Sequence, residues 1–333
     1  MSNTDSNRRS SAAQPSSANL SSWMTSEQIW QWRLSLEVKL RRIHGDALQE
    51  FFSTVMERRH RTDFVRVRPY GSLGDKGCDG YVLPSGQLYQ CYGKVGDAAL
   101  NVATTKAKVV EDFGKATKNF SSIMREWHFV HNLLDGVPSE IITTIGELNS
   151  AYPQYKFGVA GYEWFVETIF GLSESDIMEF LGPAATADQT HGLDLDEVKE
   201  LLLGITKDMD EAPIDEGAPH RVPVDKLDFN KLASHWRSFV RSGSPNAPHV
   251  QKYFDRHHKP EFGKIVAASY KNKYAALKLQ GLAPDAIMAE LYHQTAGNGT
   301  VQPARIVAVQ AVLAHVFDSC DIFEDRPQAV SAS

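Results

Sequence analysis

"GDKGCDGYVLPSGQLYQCYGK", residues 74 to 94, decides how the first half of this chain is read. A Gly-rich turn from Gly71 to Gly77 leads into a short strand, "GYVL". "PSG" then makes a hairpin turn, and "QLYQCYG" returns as a second strand. Side chains alternate between the two faces of a strand, so Gln90, Tyr92 and Lys94 share a face with Leu88, while Tyr89 and Cys91 point the other way. Asp79 stands just ahead of the first of these strands, and Asp75 lies in the turn before it.

Working outward, the apolar residues upstream recur at helical spacing from Thr25 through Ile29, Trp30, Trp32, Leu34 and Leu36. Gly45 interrupts, and a second helix runs from Asp46 to about Arg61 with Leu48, Phe51, Phe52 and Val55 on one face. The period then changes to two in "DFVRVRPYG", which reads as a strand. Downstream come a lysine-rich helix over residues 98–120, a strand in "EWHFVHN", a helix in "SEIITTIGELNSAY", and a last strand and helix in "KFGVAGYEWFVETIFG". Three antiparallel strands flanked by helices, then further helix–strand pairs, predict a mixed α/β domain with its sheet covered by helices, over residues 23–182.

The rest of the chain divides by composition. Residues 1–22, rich in Ser, Ala and Asn, read as a disordered tail. Residues 183–224 are acidic and rich in Pro and Gly around one short helix, and read as a connector. Residues 225–333 carry about five helical patterns and no strand signal, which predicts an all-α bundle.

A hydrophobic fraction of 42% and a charged fraction of 23% are ordinary for a globular protein. A formal charge of −6 confines any contact with nucleic acid to a local basic patch. "ERRHRTDFVRVR" (57–68) and the lysines Lys106, Lys108, Lys115 and Lys118 are the candidates, although charge runs on helices are more often solvated faces. The three cysteines, Cys78, Cys91 and Cys320, are too few and too scattered for a disulfide framework or a zinc cluster, which favours a reducing cytoplasm. No apolar run reaches membrane-spanning length. Neither a Walker loop nor a G-x-G-x-x-G stretch occurs, so the chain reads as no NTPase. In "CDIFED" (320–325), Cys320, Asp321 and Glu324 invite a metal reading, but a helix stop with Ile322 and Phe323 packed on the bundle is the simpler one.

Metal-dependent cleavage of a phosphodiester needs hard oxygen ligands for Mg²⁺ and a cation near the scissile phosphate. A hairpin supplies that geometry when a carboxylate opens one strand and an acid or amide, followed two residues later by a lysine, lies on the next. This arrangement resembles the PD-(D/E)XK superfamily of restriction-endonuclease-like folds over about residues 40 to 170. On that resemblance Asp79 matches the metal-binding aspartate, Gln90 the second acidic position, and Glu50 the helix glutamate, with Asp75 assisting. The lysine position falls on Tyr92, a phenol without positive charge at neutral pH. Lys94, about 7 Å along the strand from Tyr92, and Lys76 in the adjacent turn are the substitutes.

"GDKGCDGY", "YQCYG", "WHFVHN" and "CDIFED" together resemble the non-ATPase components of ABC-three-component systems, anti-phage defence modules akin to Lamassu. That resemblance implies an effector subunit, a Mg²⁺- or Mn²⁺-dependent deoxyribonuclease acting on DNA. It would work with an ABC ATPase related to structural-maintenance-of-chromosomes and Rad50 proteins. The C-terminal helices would be its docking domain, and a third small subunit and self-association are left open. The alternative is a catalytically degenerate nuclease fold that binds DNA or serves as an adaptor in the same kind of complex.

Overall fold

The computed structural model describes residues 23–68, 76–93, 100–206, 226–298, 301–319 and 322–323. Helix α1 (Ser26–Arg42) begins at a capping box, in which the Thr25 hydroxyl accepts from the Gln28 amide and the Gln28 side chain accepts from the Thr25 N–H. Helix α2 (Asp46–His60) follows the break at Gly45. Strand β1 (Phe64–Arg66), β2 (Gly80–Val82) and β3 (Gln87–Tyr92) come next, then α3 (Val102–Phe120), β4 (Glu126–His131), α4 (Ser139–Ala151) and β5 (Lys156–Ala160). Helices α5 (Tyr162–Phe170) and α6 (Glu174–Leu181) complete this half; α6, capped by Ser173, is one the sequence reading passed over.

The sheet runs β1-β2-β3-β4-β5, antiparallel across the first three strands and parallel from β3 to β5. Alternation along the strands fills both faces. Tyr81, Leu88, Tyr92, Trp127 and Phe129 pack with Val109, Phe113 and Ala116 of α3 and Ile141 and Ile145 of α4. Phe64, Val82, Tyr89 and Val130 pack on the other side with Leu36 and Leu40 of α1, Phe52 and Val55 of α2, and Phe165 and Ile169 of α5.

The second half is helical. It comprises α7 (Ala187–Thr190), α8 (Leu195–Thr206), α9 (Lys226–Phe229), α10 (Ser234–Gly243), α11 (Ala247–Asp255), α12 (Phe262–Leu279), α13 (Pro284–Ala296) and α14 (Pro303–Ser319). Every residue of α14 from Ile306 to Phe317 is buried, so this helix is the axis of the bundle and is apolar nearly all round. Helix α10 crosses it closely enough that a methyl group on Gly243 would run into the carbonyl oxygen of Gln310. The chain therefore has an N-terminal α/β region on a five-stranded mixed sheet and a mostly helical C-terminal region.

Residues 183–224, read as a connector, are described as far as 206, and that part is packed. Val198, Leu201, Leu202 and Ile205 of α8 join the same core as α10 to α14. Ile322 and Phe323 are buried there too, as expected for the "CDIFED" stretch, whereas Cys320, Asp321 and Glu324 lie outside the described residues.

Helix α1 belongs to both halves. Trp32, Leu36 and Leu40 sit in the core beneath the sheet, while Leu34, with Trp30 and Val38 beside it, sits in the helical core. Between these stripes lies Glu37, buried, with its carboxylate 2.8 Å from Arg41 Nε, 3.0 Å from Trp236 Nε1 and 2.5 Å from His235 Nε2. Arg41 in turn forks onto Asp135 at 2.9 and 3.1 Å. Among the described residues no helix is long and apolar enough to cross a membrane.

Candidate functional site

β2 opens with Gly80 paired to Tyr89, and Asp79 just ahead of it also donates its N–H to Tyr89 O, so both oppose Tyr89 and Gln90 lies one residue further along β3. The Asp79 and Gln90 side chains are almost completely buried, at 3% and 2% exposure. The Asp79 carboxylate is held on two sides: Gln49 Nε2 donates to Oδ1 and the Cys91 amide to Oδ2, each at 2.7 Å. Its backbone is fixed as well, with its N–H donating to Tyr89 O at 2.8 Å and its carbonyl accepting from Val67 at 3.0 Å. Burial, with Asp79 and Cys78 close by, pushes the Cys91 thiol well above its usual range and keeps it an unreactive neutral neighbour.

Gln90 is different. Its amide oxygen is buried and has no hydrogen-bond partner among the described residues. Such an atom costs about 1–3 kcal/mol when nothing satisfies it, and needs an explanation.

Tyr92, the residue standing where the motif calls for lysine, turns into the α3 face of the sheet. Its ring lies 4.6 Å from that of Phe129, and its hydroxyl donates to Asp112 Oδ2 at 3.2 Å. Asp112 is buried on α3 and also receives Lys108 Nζ at 3.1 Å and Lys115 Nζ at 3.3 Å. Lys108 Nζ hangs 5.5 Å over the Tyr92 ring.

The other expected residues are placed as follows. Glu50 is exposed, its carboxylate engaged by Arg66 at 2.6 Å and Arg68 at 3.6 Å; its neighbour Gln49 is the α2 residue that reaches Asp79. Lys76 is exposed, in a left-handed turn ahead of Gly77. Asp75 and Lys94 lie outside the described residues. In the basic stretch 57–68, Arg58 pairs with Asp176 and Glu179, and Arg66 with Glu50 and Glu57, so much of that charge is offset within the chain. Among the described residues no group of three or more His, Cys, Asp or Glu side chains forms a metal cage.

The donors present here are nevertheless of the kind a hard cation takes: the Asp79 carboxylate, which already accepts two hydrogen bonds, and the Gln90 amide oxygen, which has no partner among the described residues. Mg²⁺ commonly keeps several waters and uses only one or two carboxylates from the protein, so this set fits it.

Gln49 and Asp112 are the two residues sequence reasoning missed, and both left a trace. Gln49 precedes Phe52 by three and so leans toward the buried stripe of α2, whereas Glu50 precedes Thr54 and Glu57 on the wet side. Asp112 interrupts the stripe Val109–Phe113–Ala116, and a carboxylate on a buried stripe is rarely idle.

The helical half is the part that resembles a known family model. Residues 196–324 match the family model for C-terminal domain 10 of the ABC-three component (ABC-3C) systems. That domain suggests a role alongside the other components of an ABC-three-component defence system. The match begins one residue inside α8 and takes in the whole bundle from α9 to α14. No curated protein and no solved structure matches the chain.

Proposed function

We propose that this chain is the DNA-cleaving subunit of an ABC-three-component defence system. In this reading the N-terminal region is a restriction-endonuclease-like domain, and the matched C-terminal domain docks onto the system's ABC ATPase. The observation that carries the reading is the Gln90 amide oxygen, buried without a partner among the described residues, on the strand whose next amide, that of Cys91, holds Asp79. An oxygen left bare beside a positioned carboxylate is suited to receive a divalent cation. Asp79 and Gln90 would hold Mg²⁺ or Mn²⁺, which when bound supplies Lewis-acid polarisation of a phosphate and a water of lowered pKa.

The chain's own residues prepare that place. Gln49 and the Cys91 amide fix both oxygens of Asp79, so the carboxylate needs little reorganisation on binding.

A second reading has its own support. Both Asp79 oxygens already accept hydrogen bonds and Tyr92 is committed to the core, as in a nuclease fold retained for binding alone. One assay separates the two. Supercoiled plasmid is incubated with the full chain and Mg²⁺ or Mn²⁺, alone and with the ATPase of its system. Nicking or linearisation that falls on the order of a hundredfold in Asp79→Ala supports cleavage. Cleavage unchanged in Asp79→Ala sinks the site, and binding without cleavage, with the ATPase present, establishes the adaptor.

A further inference from the structure

In the α/β half, much of the basic charge is offset inside the chain. Arg58 and Arg66 pair with Asp176, Glu179, Glu50 and Glu57, and Lys108 and Lys115 share the buried Asp112. The helical half holds a patch without that compensation. Residues 247–279, spanning α11, the turn after it and α12, carry seven basic residues against the acids Asp255 and Glu261. This is a strong local excess in a chain of formal charge −6.

The charge gathers where α11 turns into α12. His249, Lys252 and Arg256 recur at steps of three and four, so they share the outer face at the end of α11, and all three are exposed. Lys259 in the turn and Lys264 in the first turn of α12 are exposed as well. Among the described residues none of Lys252, Arg256, Lys259 and Lys264 meets a carboxylate at ion-pair distance. Lys271 and Lys278 follow Lys264 at seven-residue steps, about two turns each, so the row extends along about 21 Å of α12.

The corner is well fixed. Phe254 and Phe262 meet edge to face at 6.0 Å, and His257 stacks on Phe262 at 4.0 Å. The Lys259 amide donates to His257 Nδ1 at 3.2 Å, and the Phe262 amide to the Lys259 carbonyl at 3.1 Å. Gly263 lies against Phe254, where an added Cβ would sit 3.2 Å from the ring. The cations are thus carried on a preorganised backbone, which lowers the ordering cost of binding.

The kind of partner follows from what the surface lacks. Protein interfaces are built on aromatic and apolar anchors and are poor in lysine. Between residues 247 and 278 no large apolar side chain is exposed, and Leu279 at the far end of α12 is the first. Unpaired ammonium and guanidinium groups without apolar anchors suit a row of phosphates.

We infer that the α11–α12 corner binds the phosphate backbone of nucleic acid through Lys252, Arg256, Lys259 and Lys264, without reading its sequence. This goes beyond the reading above, which gives the helical half no contact with DNA, and it holds whether or not the Asp79 site cuts.

Anisotropy of a short fluorescein-labelled DNA duplex is measured with the full chain over a salt series. Wild type is expected to bind with a Kd of about 1–100 μM at physiological salt. The triple variant Arg256→Ala, Lys259→Ala, Lys264→Ala should keep the wild-type melting temperature, because all three side chains are exposed. It should bind about tenfold more weakly or worse, with the slope of log affinity against log salt reduced by about 3. The triple variant Lys106→Ala, Lys115→Ala, Lys118→Ala on α3 removes the same charge and should bind within about threefold of wild type. Asp79→Ala should bind as wild type does. An unchanged slope in the corner variant, an equal loss in the α3 variant, or a wild type that binds no duplex overturns the inference. Polyglutamate that displaces the labelled duplex as well as unlabelled duplex does, charge for charge, overturns it too, in favour of an acidic protein surface. Binding that depends on the corner while plasmid stays uncut supports the inference and ends the hydrolytic reading alone.

Discussion

Gln90 holds its amide oxygen away from water and away from every donor among the described residues. Replacing it by methionine keeps the length of the side chain and removes the polar atom. Gln90→Met is therefore expected to stabilise the folded chain by about 1 kcal/mol in urea unfolding, since an unsatisfied buried acceptor disappears. The same substitution should abolish any rise in melting temperature that Mg²⁺ or Mn²⁺ gives the wild type. A variant no more stable than wild type would show that Gln90 has a partner in solution, such as a bound water. The positions of Asp79 and Gln90 were legible because strand alternation is strict and the hairpin turn fixes the register. The α2 contribution was not, because one residue along a helix is a rotation of about 100°. Glu50 has the charge the motif asks for, but Gln49 has the direction. Tyr92 illustrates a different limit: its place in the motif was visible, while its hydroxyl partner Asp112 lies 20 residues away on an element the motif does not include.

At the scale of elements, the strands and the long helices followed from their periods, and the five C-terminal helices fall close to where their apolar repeats and Pro or Gly boundaries put them. What the pattern could not show is that α1 carries two stripes for two different cores. A helix with apolar residues at Ile29, Trp30, Trp32, Leu34, Leu36, Val38 and Leu40 reads as one broad buried face. Only the partners distinguish them. Glu37 sits on the seam, and its three donors come from α1 itself and from α10. Glu37→Ala should cost about 3 kcal/mol or more, because it leaves an imidazole and an indole N–H buried without an acceptor and takes from Arg41 one of its two carboxylates. Trp236→Phe, which removes one donor, should cost the hydrogen bond alone, about 1 kcal/mol. Guanidinium unfolding followed by tryptophan fluorescence for the first and by far-ultraviolet dichroism for both measures the difference, and equal losses would mean the carboxylate's role is no more than a single bond.

For the whole molecule, acid stability follows from two buried histidines, one in each half. Burial lowers the imidazoles of His131 and His315 from 6.5 to about 4. Both remain neutral in the folded chain while the unfolded chain takes up their protons near 6.5. Between those values the unfolded state binds more protons, so stability falls as pH drops from about 6.5 toward 4 and the loss is complete below. Asp285 and Asp318, whose carboxyls burial raises, act in the opposite sense in the carboxylate range. The melting temperature should therefore decline through that window, and His315→Gln should flatten the decline. A melting temperature level from pH 7 to 4.5 would contradict the burial of these rings. The division into an α/β half and a helical half was legible in the loss of strand signal after residue 171. The packing of α8 into the bundle was masked by the acidic, Pro-rich sequence around it.

The shared helix α1 also bears on descent. Residues 196–324 carry the family resemblance, but the core they build includes Leu34, and the acceptor for His235 and Trp236 is Glu37. A recombination joining a new N-terminal region to that domain would have to deliver Trp30, Leu34, Glu37 and Val38 at their helical spacing. Without them the bundle would inherit an open apolar slot and two stranded donors. The seam along which such systems could trade their front halves thus lies upstream of α1, and not in the acidic stretch where the sequence invites a cut.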